Sequence, residues 1–290
     1  MEGVPYPVDD AAVHHLFEGG WIWVLRFRNG ITSAGVAAVE SVARRFRFKE
    51  GAPAWGRLLA ELPSVGRLFE RAEAIHPFVS AKEVAFRTGP AAGKGWALLP
   101  SAAGFVDPML SSGFTLTLLG IERLAGAMER HWADAAAWQT AMDAHAATTA
   151  DELLALEGYV SALYARLGDF AAFVEVARLY FCVVIYAETA RRLGRAPEEG
   201  GFLARHHPDL GPRAAEICAV ARAGLSATEL RTRVDSVLAR YDLGGLGDAG
   251  RRPWYPVLVS DLRAGRGRIR ASDAEWEALE RNLADPLPAR

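Results

Sequence analysis

The residues best suited to chemistry lie in one stretch, which reads LLPSAAGFVDPMLSSG. Small residues around Gly104 allow a flat ligand to approach the backbone, and Pro108 after Asp107 fixes a turn. Ser112 and Gly113 then open a predicted helix, where free N–H groups and the positive end of the helix dipole attract negative charge. This arrangement suits an anion, a phosphate or the anionic edge of a reduced flavin. A capped helix that follows a turn is the alternative interpretation of the same residues.

Two glycine-rich stretches have the spacing of nucleotide-binding loops but lack the surrounding elements. Residues 245–250 match GxGxxG, which binds a pyrophosphate only between a strand and a helix, whereas here a predicted helix precedes the stretch. Residues 89–94, GPAAGK, are one residue short of a P-loop and lack the Ser or Thr after the lysine. We interpret both as loops, the second being a turn between strands.

The cysteines and histidines do not form a catalytic or metal-binding pattern. Cys182 and Cys218 stand far apart without CxxC spacing, and we interpret them as buried thiols in a reducing cytosol. The adjacent histidines at 14–15 and 206–207 do not have the spacing of metal ligands. We therefore predict no metal site.

The elements that position the first stretch change in kind near residue 110, and the sequence predicts an α+β fold. Alternating apolar residues favour a β-rich region over 1–110, with Asn29-Gly30 as a hairpin turn in an antiparallel sheet. The predicted strands are 14–17, 21–27, 31–39, 83–87 and 96–99, and the predicted short helices are 54–61 and 65–74.

The second predicted region, 111–290, is mostly helical. Ser111 or Ser112 is placed to cap its first helix, which should end near Trp132. Apolar residues recurring every three or four positions over 170–181 indicate a wide apolar stripe on another helix. Capping boxes are predicted at Thr149–Glu152, Ser226–Glu229 and Ser272–Glu275.

Composition excludes several classes of protein. The chain has 290 residues, of which 51% are hydrophobic, and a formal net charge of −2, so nucleic-acid binding through bulk charge is not expected. The N-terminus lacks the basic and apolar regions of a signal peptide. Residues 167–190 form the most apolar long stretch, but they include four charged residues and are not expected to span a membrane. We expect a cytoplasmic protein.

Three blocks of the sequence resemble the flavin-dependent tryptophan-halogenase-like family, which belongs to the group of FAD-dependent monooxygenases. In order, the blocks are HHLFEGGWIWVLRFRNGITSAGV, GPAAGKGWALLPSAAGFVDPMLSSGFTLTLLGIERLA and LYFCVVIYAETARRLG. The resemblance covers most of residues 10–260. Its most specific part is the DPxxSSG motif after a strand and a run of small residues.

The resemblance implies an FAD cofactor bound by Gly104, Asp107, Pro108, Ser111, Ser112 and Gly113. It places the backbone of Ser112 and Gly113 at the edge of the isoalloxazine ring, where halogenases hold their halide. Trp21 and Trp23 match the two tryptophans of the family's WxWxIP motif, on the strand that separates flavin from substrate. They would form the substrate-side wall.

The sequence departs from the family pattern at several positions. The family's FAD-binding GxGxxG would precede the first residue of this sequence, which would then correspond to a C-terminal portion. The Ile-Pro of WxWxIP is replaced by Leu25-Arg26, and the family's glutamate before Ser-Thr-Gly is Leu110. None of the three lysines matches the lysine that relays the oxidised halogen.

These features predict an FAD-dependent monooxygenase-type oxidoreductase that oxygenates an apolar or aromatic small molecule. By this resemblance, reduced FAD would react with O₂, and a separate flavin reductase is a possible partner. The alternatives are a true flavin-dependent halogenase and a degenerate, non-catalytic relative that acts as a binding module. Neither nucleic acid nor membrane is expected as a partner.

Overall fold

The structure is a computed structural model that describes residues 7, 10–196, 199–248, 250 and 257–284. The chain forms two compact units. One comprises Met1–Glu83 and Tyr164–Phe170, and the other comprises Val84–Leu163 and Ala171–Arg290. The α+β class is confirmed, because a small antiparallel sheet comes first and most of the later chain is helical.

A three-stranded antiparallel sheet organises the first unit. Its strands, in sheet order, are β1 (Val13–Phe17), β2 (Gly20–Arg26) and β3 (Thr32–Ala38). Gly30 in the turn between β2 and β3 has a φ of 82°, a conformation that favours glycine. The first three predicted strands and the hairpin turn are therefore confirmed.

Trp23 in β2 lies opposite Gly35 in β3. A β-carbon at Gly35 would lie 2.0 Å from the Trp23 ring, so only glycine leaves room for the indole at this position. The sheet thus holds one of the two predicted wall tryptophans by a cross-strand contact.

Short helices complete the core of the first unit. They are α1 (Glu40–Phe46), α2 (Ala52–Glu61) and α3 (Pro63–Gly66), the last followed by a 3-10 turn at Arg67–Phe69. The buried cluster consists of Ile22, Val24, Phe46, Leu58 and Val65. The predicted helix at 65–74 is wrong beyond the turn, because residues 70–74 are exposed and so gain little tertiary packing to hold a helix.

Two minimal ladders open the second unit. Their strands are β4 (Phe86–Arg87), β5 (Ala92–Gly93), β6 (Trp96–Ala97) and β7 (Gly104–Phe105). β4 pairs with β7, and β5 pairs with β6, both antiparallel. The strands predicted near 83–87 and 96–99 exist but are only two residues long. The turn interpreted for the GPAAGK stretch is only partly right, because Ala92 and Gly93 form β5 and only Lys94 lies in the hairpin turn before β6.

Helices, several of them long, account for most of the remaining described residues. They are α5 (Ser112–His131), α6 (Ala135–Tyr164), α7 (Phe170–Arg192), α8 (Leu210–Arg222), α9 (Ala227–Tyr241), α10 (Val259–Gly265) and α11 (Asp273–Ala284), after the single turn α4 (Pro100–Ala103). The capping boxes at Ser226–Glu229 and Ser272–Glu275 are confirmed by reciprocal hydrogen bonds.

The capping box predicted at Thr149–Glu152 is wrong. Both residues lie in the middle of α6, a single helix of 30 residues. Their side chains are buried and hydrogen-bond to Arg123 of α5. The helix begins instead at Asp134, whose carboxylate accepts two backbone N–H bonds of 3.0 Å.

The apolar stripe predicted on α7 is only partly buried. Phe170 and Phe181 are mostly exposed, whereas Glu175 is fully buried and accepts hydrogen bonds from Arg178 and Arg231. In the described part of the chain, α7 is the one helix long and apolar enough to cross a membrane, and 44% of its apolar window is buried inside the protein. Core helices of globular proteins also meet this criterion.

Candidate functional site

Residues 104–113, called here the 104–113 segment, run from β7 through a 3-10 turn (Pro108–Leu110) into α5. Asp107 is buried, and its Oδ1 accepts a hydrogen bond of 2.8 Å from the backbone N–H of Met109. This bond caps the turn that Pro108 begins. The Asp-Pro pair therefore fixes the direction in which the chain enters α5.

Neither Ser111 nor Ser112 caps α5, so the predicted serine cap is wrong. Ser111 has a left-handed backbone with φ 51°, whereas a capping residue is normally extended. Ser112 is already the first helical residue, and its buried Oγ has no hydrogen-bond partner among the described residues. An uncapped helix start beside a buried hydroxyl without a partner suits a negatively charged ligand.

Packing against the described residues does not require a glycine at position 113. Its nearest neighbour would be Phe105, whose Cε2 lies 3.6 Å from the position of a β-carbon, an ordinary van der Waals distance. The glycine thus leaves the first turn of α5 accessible from one side. This space is compatible with the close approach of a flat ring to the backbone.

Gly104 has a packing role that the sequence analysis missed. A β-carbon there would lie 2.7 Å from Cδ1 of the buried Leu153 in α6 and 3.2 Å from the carbonyl oxygen of Phe86. Glycine is needed because α6 and β4 both approach the backbone at this point. Its contact with a flavin stays a prediction.

Trp21 and Trp23 belong to the first unit. Trp21 is buried, and its Nε1 donates a hydrogen bond of 3.2 Å to the hydroxyl of Tyr164. Its ring centroid lies 4.6 Å from that of His14 and 5.8 Å from that of Trp23. The two indoles are thus fixed side by side on the sheet, and their role as a substrate wall stays a prediction.

A buried polar layer lies between α5 and α6 and was not predicted from the sequence. The Arg123 guanidinium donates two hydrogen bonds of 2.8 Å to the carboxylate of Glu152 and one of 3.3 Å to Oγ1 of Thr149. Burial raises the pKa of Glu152, against the opposing effect of Arg123. His145, Thr149 and Glu152 occur at the i, i+4 and i+7 spacing of one helix face, and this spacing was the available signal.

The remaining candidates are structural. Cys182 and Cys218 are buried free thiols, and burial raises the pKa of Cys218 to about 12, so both stay protonated at neutral pH. The start of the GxGxxG stretch is a loop at the end of α9, where Asp242 accepts hydrogen bonds from the backbone N–H groups of Gly244 and Gly247. Residue 249 of this stretch lies outside the described residues. The described residues hold no group of three or more His, Cys, Asp or Glu suited to a metal ion.

Comparison with known proteins identifies relatives by sequence. The chain is 28% identical over 131 residues to monodechloroaminopyrrolnitrin halogenase PrnC of Pseudomonas fluorescens, covering 43% of this chain and 23% of that protein. It is 30% identical over 123 residues to tetracycline 7-halogenase of Kitasatospora aureofaciens, covering 39% of this chain and 21% of that protein. The matches therefore span less than a quarter of these relatives. No family model matches the chain.

Solved structures show the same fold. Halogenase PltM superposes with a TM-score of 0.68 at 19% identity, covering 85% of this chain and 55% of that chain. The complex of PltM with phloroglucinol and FAD superposes with a TM-score of 0.65 at 18% identity. The fold thus extends well beyond the region of sequence similarity. The chain is thus similar in sequence, over part of its length, to flavin-dependent halogenases, and it shares the fold of a halogenase over about half of that protein's length.

Proposed function

We propose that this chain carries the flavin-facing part of a flavin-dependent oxidoreductase that acts on an apolar or aromatic small molecule. The observation that carries the proposal is the open start of α5. Ser112 has a buried Oγ without a partner among the described residues, and Gly113 leaves space that a side chain would fill. The positive helix terminus at this point favours an anion or the anionic edge of a reduced flavin.

The 104–113 segment offers the residues that would hold FAD. The backbone of Ser112 and Gly113 would face the edge of the ring, while Gly104, Asp107, Pro108 and Ser111 would line it. Bound reduced FAD supplies the electrons that activate O₂. The chain itself contributes a fixed backbone, since Asp107 caps the turn before α5, and exposed apolar surface at Phe114 beside Gly113.

An aromatic substrate fits the second group of predicted residues. Trp23 is half-buried and packs beside the buried Trp21, so the indole of Trp23 would present an apolar surface that favours flat apolar molecules over charged ones. The relative PltM was solved with phloroglucinol, a small aromatic compound. We propose phenols and indoles as the substrate class of this chain.

Two outcomes of the oxidation are supported by different observations. The names of the relatives favour halogenation, and a halide suits the positive start of α5. Leu110 favours direct oxygen transfer, because its side chain can neither exchange a proton nor hydrogen-bond a hypohalous acid. We take halogenation as the first candidate and oxygenation as the second.

A turnover assay tests the proposal and separates the candidates. The 290-residue chain is incubated with FAD, a flavin reductase, NADH, O₂ and excess bromide, against a panel of phenols and indoles analysed by mass spectrometry. Brominated product supports halogenation, and bromide-independent hydroxylation supports oxygenation. Folded chain that neither turns over nor binds flavin would overturn the proposal and favour a non-catalytic binding module.

A further inference from the structure

We propose that Arg123, His145 and Glu152 are positioning residues that lock the 104–113 segment onto α6. The inference rests on the proposed function only in taking this segment as the flavin edge. The three side chains contact the chain on both sides of the segment, and none of them belongs to it. The argument begins with the upstream contact.

His145 anchors the chain before the segment. It is 3% exposed, and its Nε2 lies 2.9 Å from the carbonyl oxygen of Leu98. Because a carbonyl only accepts hydrogen bonds, Nε2 carries the proton and donates it to this bond. Burial lowers the pKa of His145, and Arg123 adds to this shift against the opposing effect of the Leu98 hydrogen bond, so at neutral pH the ring is uncharged and Nδ1 is unprotonated. The buried Nδ1 has no partner among the described residues.

Arg123 and Glu152 anchor the helix that follows the segment. Arg123 lies about three turns after Ser112 along α5, and its guanidinium forms a bidentate ion pair with the Glu152 carboxylate. Glu152 is only 7% exposed. A planar guanidinium bound through two hydrogen bonds to a buried carboxylate allows little sliding or rotation of one helix against the other. The ion pair therefore sets the position of α5 along α6. Buried ion pairs add little to net stability, and fixing such a register is their best-attested use.

Two close approaches support the same arrangement. Leu153, next to Glu152 in α6, occupies the space over Gly104 where a side chain would otherwise be. On the other side, a β-carbon at Gly120 of α5 would lie 2.3 Å from Pro100, so α5 lies directly against α4. The segment is thus held at its start by α6 and at its end by a helix that both α4 and α6 fix in place. The polar contacts would determine the exact placement of the backbone at Ser112 and Gly113.

Matched variants at residue 145 test the inference through hydrogen–deuterium exchange of the full chain. In His145→Gln the amide nitrogen has nearly the same reach as Nε2 and can donate to Leu98, whereas His145→Leu cannot. We expect exchange at the amides of Met109 and Ser111 to be about tenfold faster in His145→Leu, and to return near the wild-type rate in His145→Gln. Exchange in α9 should be unchanged and serves as the internal control.

A second pair tests the ion pair. Arg123→Lys keeps the charge but loses the fork, and Arg123→Met leaves Glu152 unpaired. We expect both variants to accelerate exchange at the start of α5, with Arg123→Lys remaining folded by circular dichroism. Unchanged exchange across the 104–113 segment in both His145→Leu and Arg123→Lys would overturn the inference, whatever their melting temperatures.

A riboflavin titration of the same proteins separates this inference from the proposed function. Wild-type chain that fails to quench riboflavin fluorescence, while its segment is protected as expected, contradicts the proposed function alone. Wild-type chain that binds riboflavin, together with a His145→Leu variant of equal affinity and equal exchange, contradicts the inference alone. We expect His145→Leu to bind riboflavin about tenfold more weakly and His145→Gln to recover most of that loss.

Discussion

Adding one methyl group to Gly113 should separate flavin binding from folding. In Gly113→Ala the new β-carbon would lie 3.6 Å from Phe105, so the fold can accept it. Replacing glycine in the first turn of a helix should stabilise the chain by about 0–1 kcal/mol. Gly158→Ala is the matched control, because Gly158 also lies in a helix and has nothing within 4 Å of the new β-carbon.

Gly104→Ala should have the opposite effect on stability. Its methyl group would lie 2.7 Å from Leu153, which is buried and cannot swing into solvent, and 3.2 Å from a backbone oxygen of β4. Overpacking of this kind costs about 1–3 kcal/mol. A smaller loss than about 0.5 kcal/mol would mean that the packing around Gly104 is looser than the distances indicate.

The assay combines urea unfolding, followed by circular dichroism, with fluorescence titration of riboflavin and FAD. We expect Gly113→Ala and Gly158→Ala to unfold at or above the wild-type urea midpoint. Only Gly113→Ala should lose flavin affinity, by about tenfold or more if the ring contacts the backbone there. Wild-type affinity in Gly113→Ala would refute the placement of the flavin edge at this residue, and unfolding of that variant would refute the packing argument.

Three further predictions concern buried groups. Burial lowers the pKa of His145 from its usual 6.5. The free energy of unfolding should therefore be highest above about pH 6.5 and fall as the pH drops below it, and the fall should be less steep in His145→Gln. Urea midpoints measured from pH 5 to 8 check both expectations. Glu175→Ala should cost about 1–3 kcal/mol in urea unfolding, because Arg178 and Arg231 lose their shared buried carboxylate while Arg178 keeps its ion pair with Asp235. Cys182 and Cys218 should not react with iodoacetamide at pH 8 until the chain is unfolded in urea, as followed by mass spectrometry. Rapid modification of the native chain would contradict their burial.

Elements specified by neighbouring residues were predictable from sequence. The sheet follows from the alternation over β1 to β3 and from Asn29-Gly30, since both act within a few residues. Ser226 and Ser272 cap their helices because each has a glutamate three residues later and, among the described residues, no competing tertiary partner for the hydroxyl. The DPxxSSG motif likewise indicated a turn followed by a helix.

Features specified by distant residues were not predictable in this way. Thr149 and Glu152 have the spacing of a capping box, but Arg123 binds both from another helix and α6 continues through them. Similarly, the close approach of Leu153 to Gly104 joins residues far apart in the chain, so the packing role of this glycine was not predictable from its neighbours. The turn and the helix start of the 104–113 segment were predicted from the sequence, and their role as a site stays a prediction. The layer that supports the segment depends on contacts between helices, which the sequence alone does not show.

Substitutions on the two faces of α5 should have different effects on stability and on flavin binding. Its inner face contributes Arg123 and Gly120, which contact α6 and α4. Its outer face exposes Phe114, Leu118 and Ile121, and these side chains support little of the core. Substitutions on the inner face should therefore change stability and the position of the helix start together. A variant of α5 that alters flavin affinity at constant stability must act at the outer face or at the start of the helix. Because of this distinction, the assignment of the flavin edge can be tested without knowledge of the substrate.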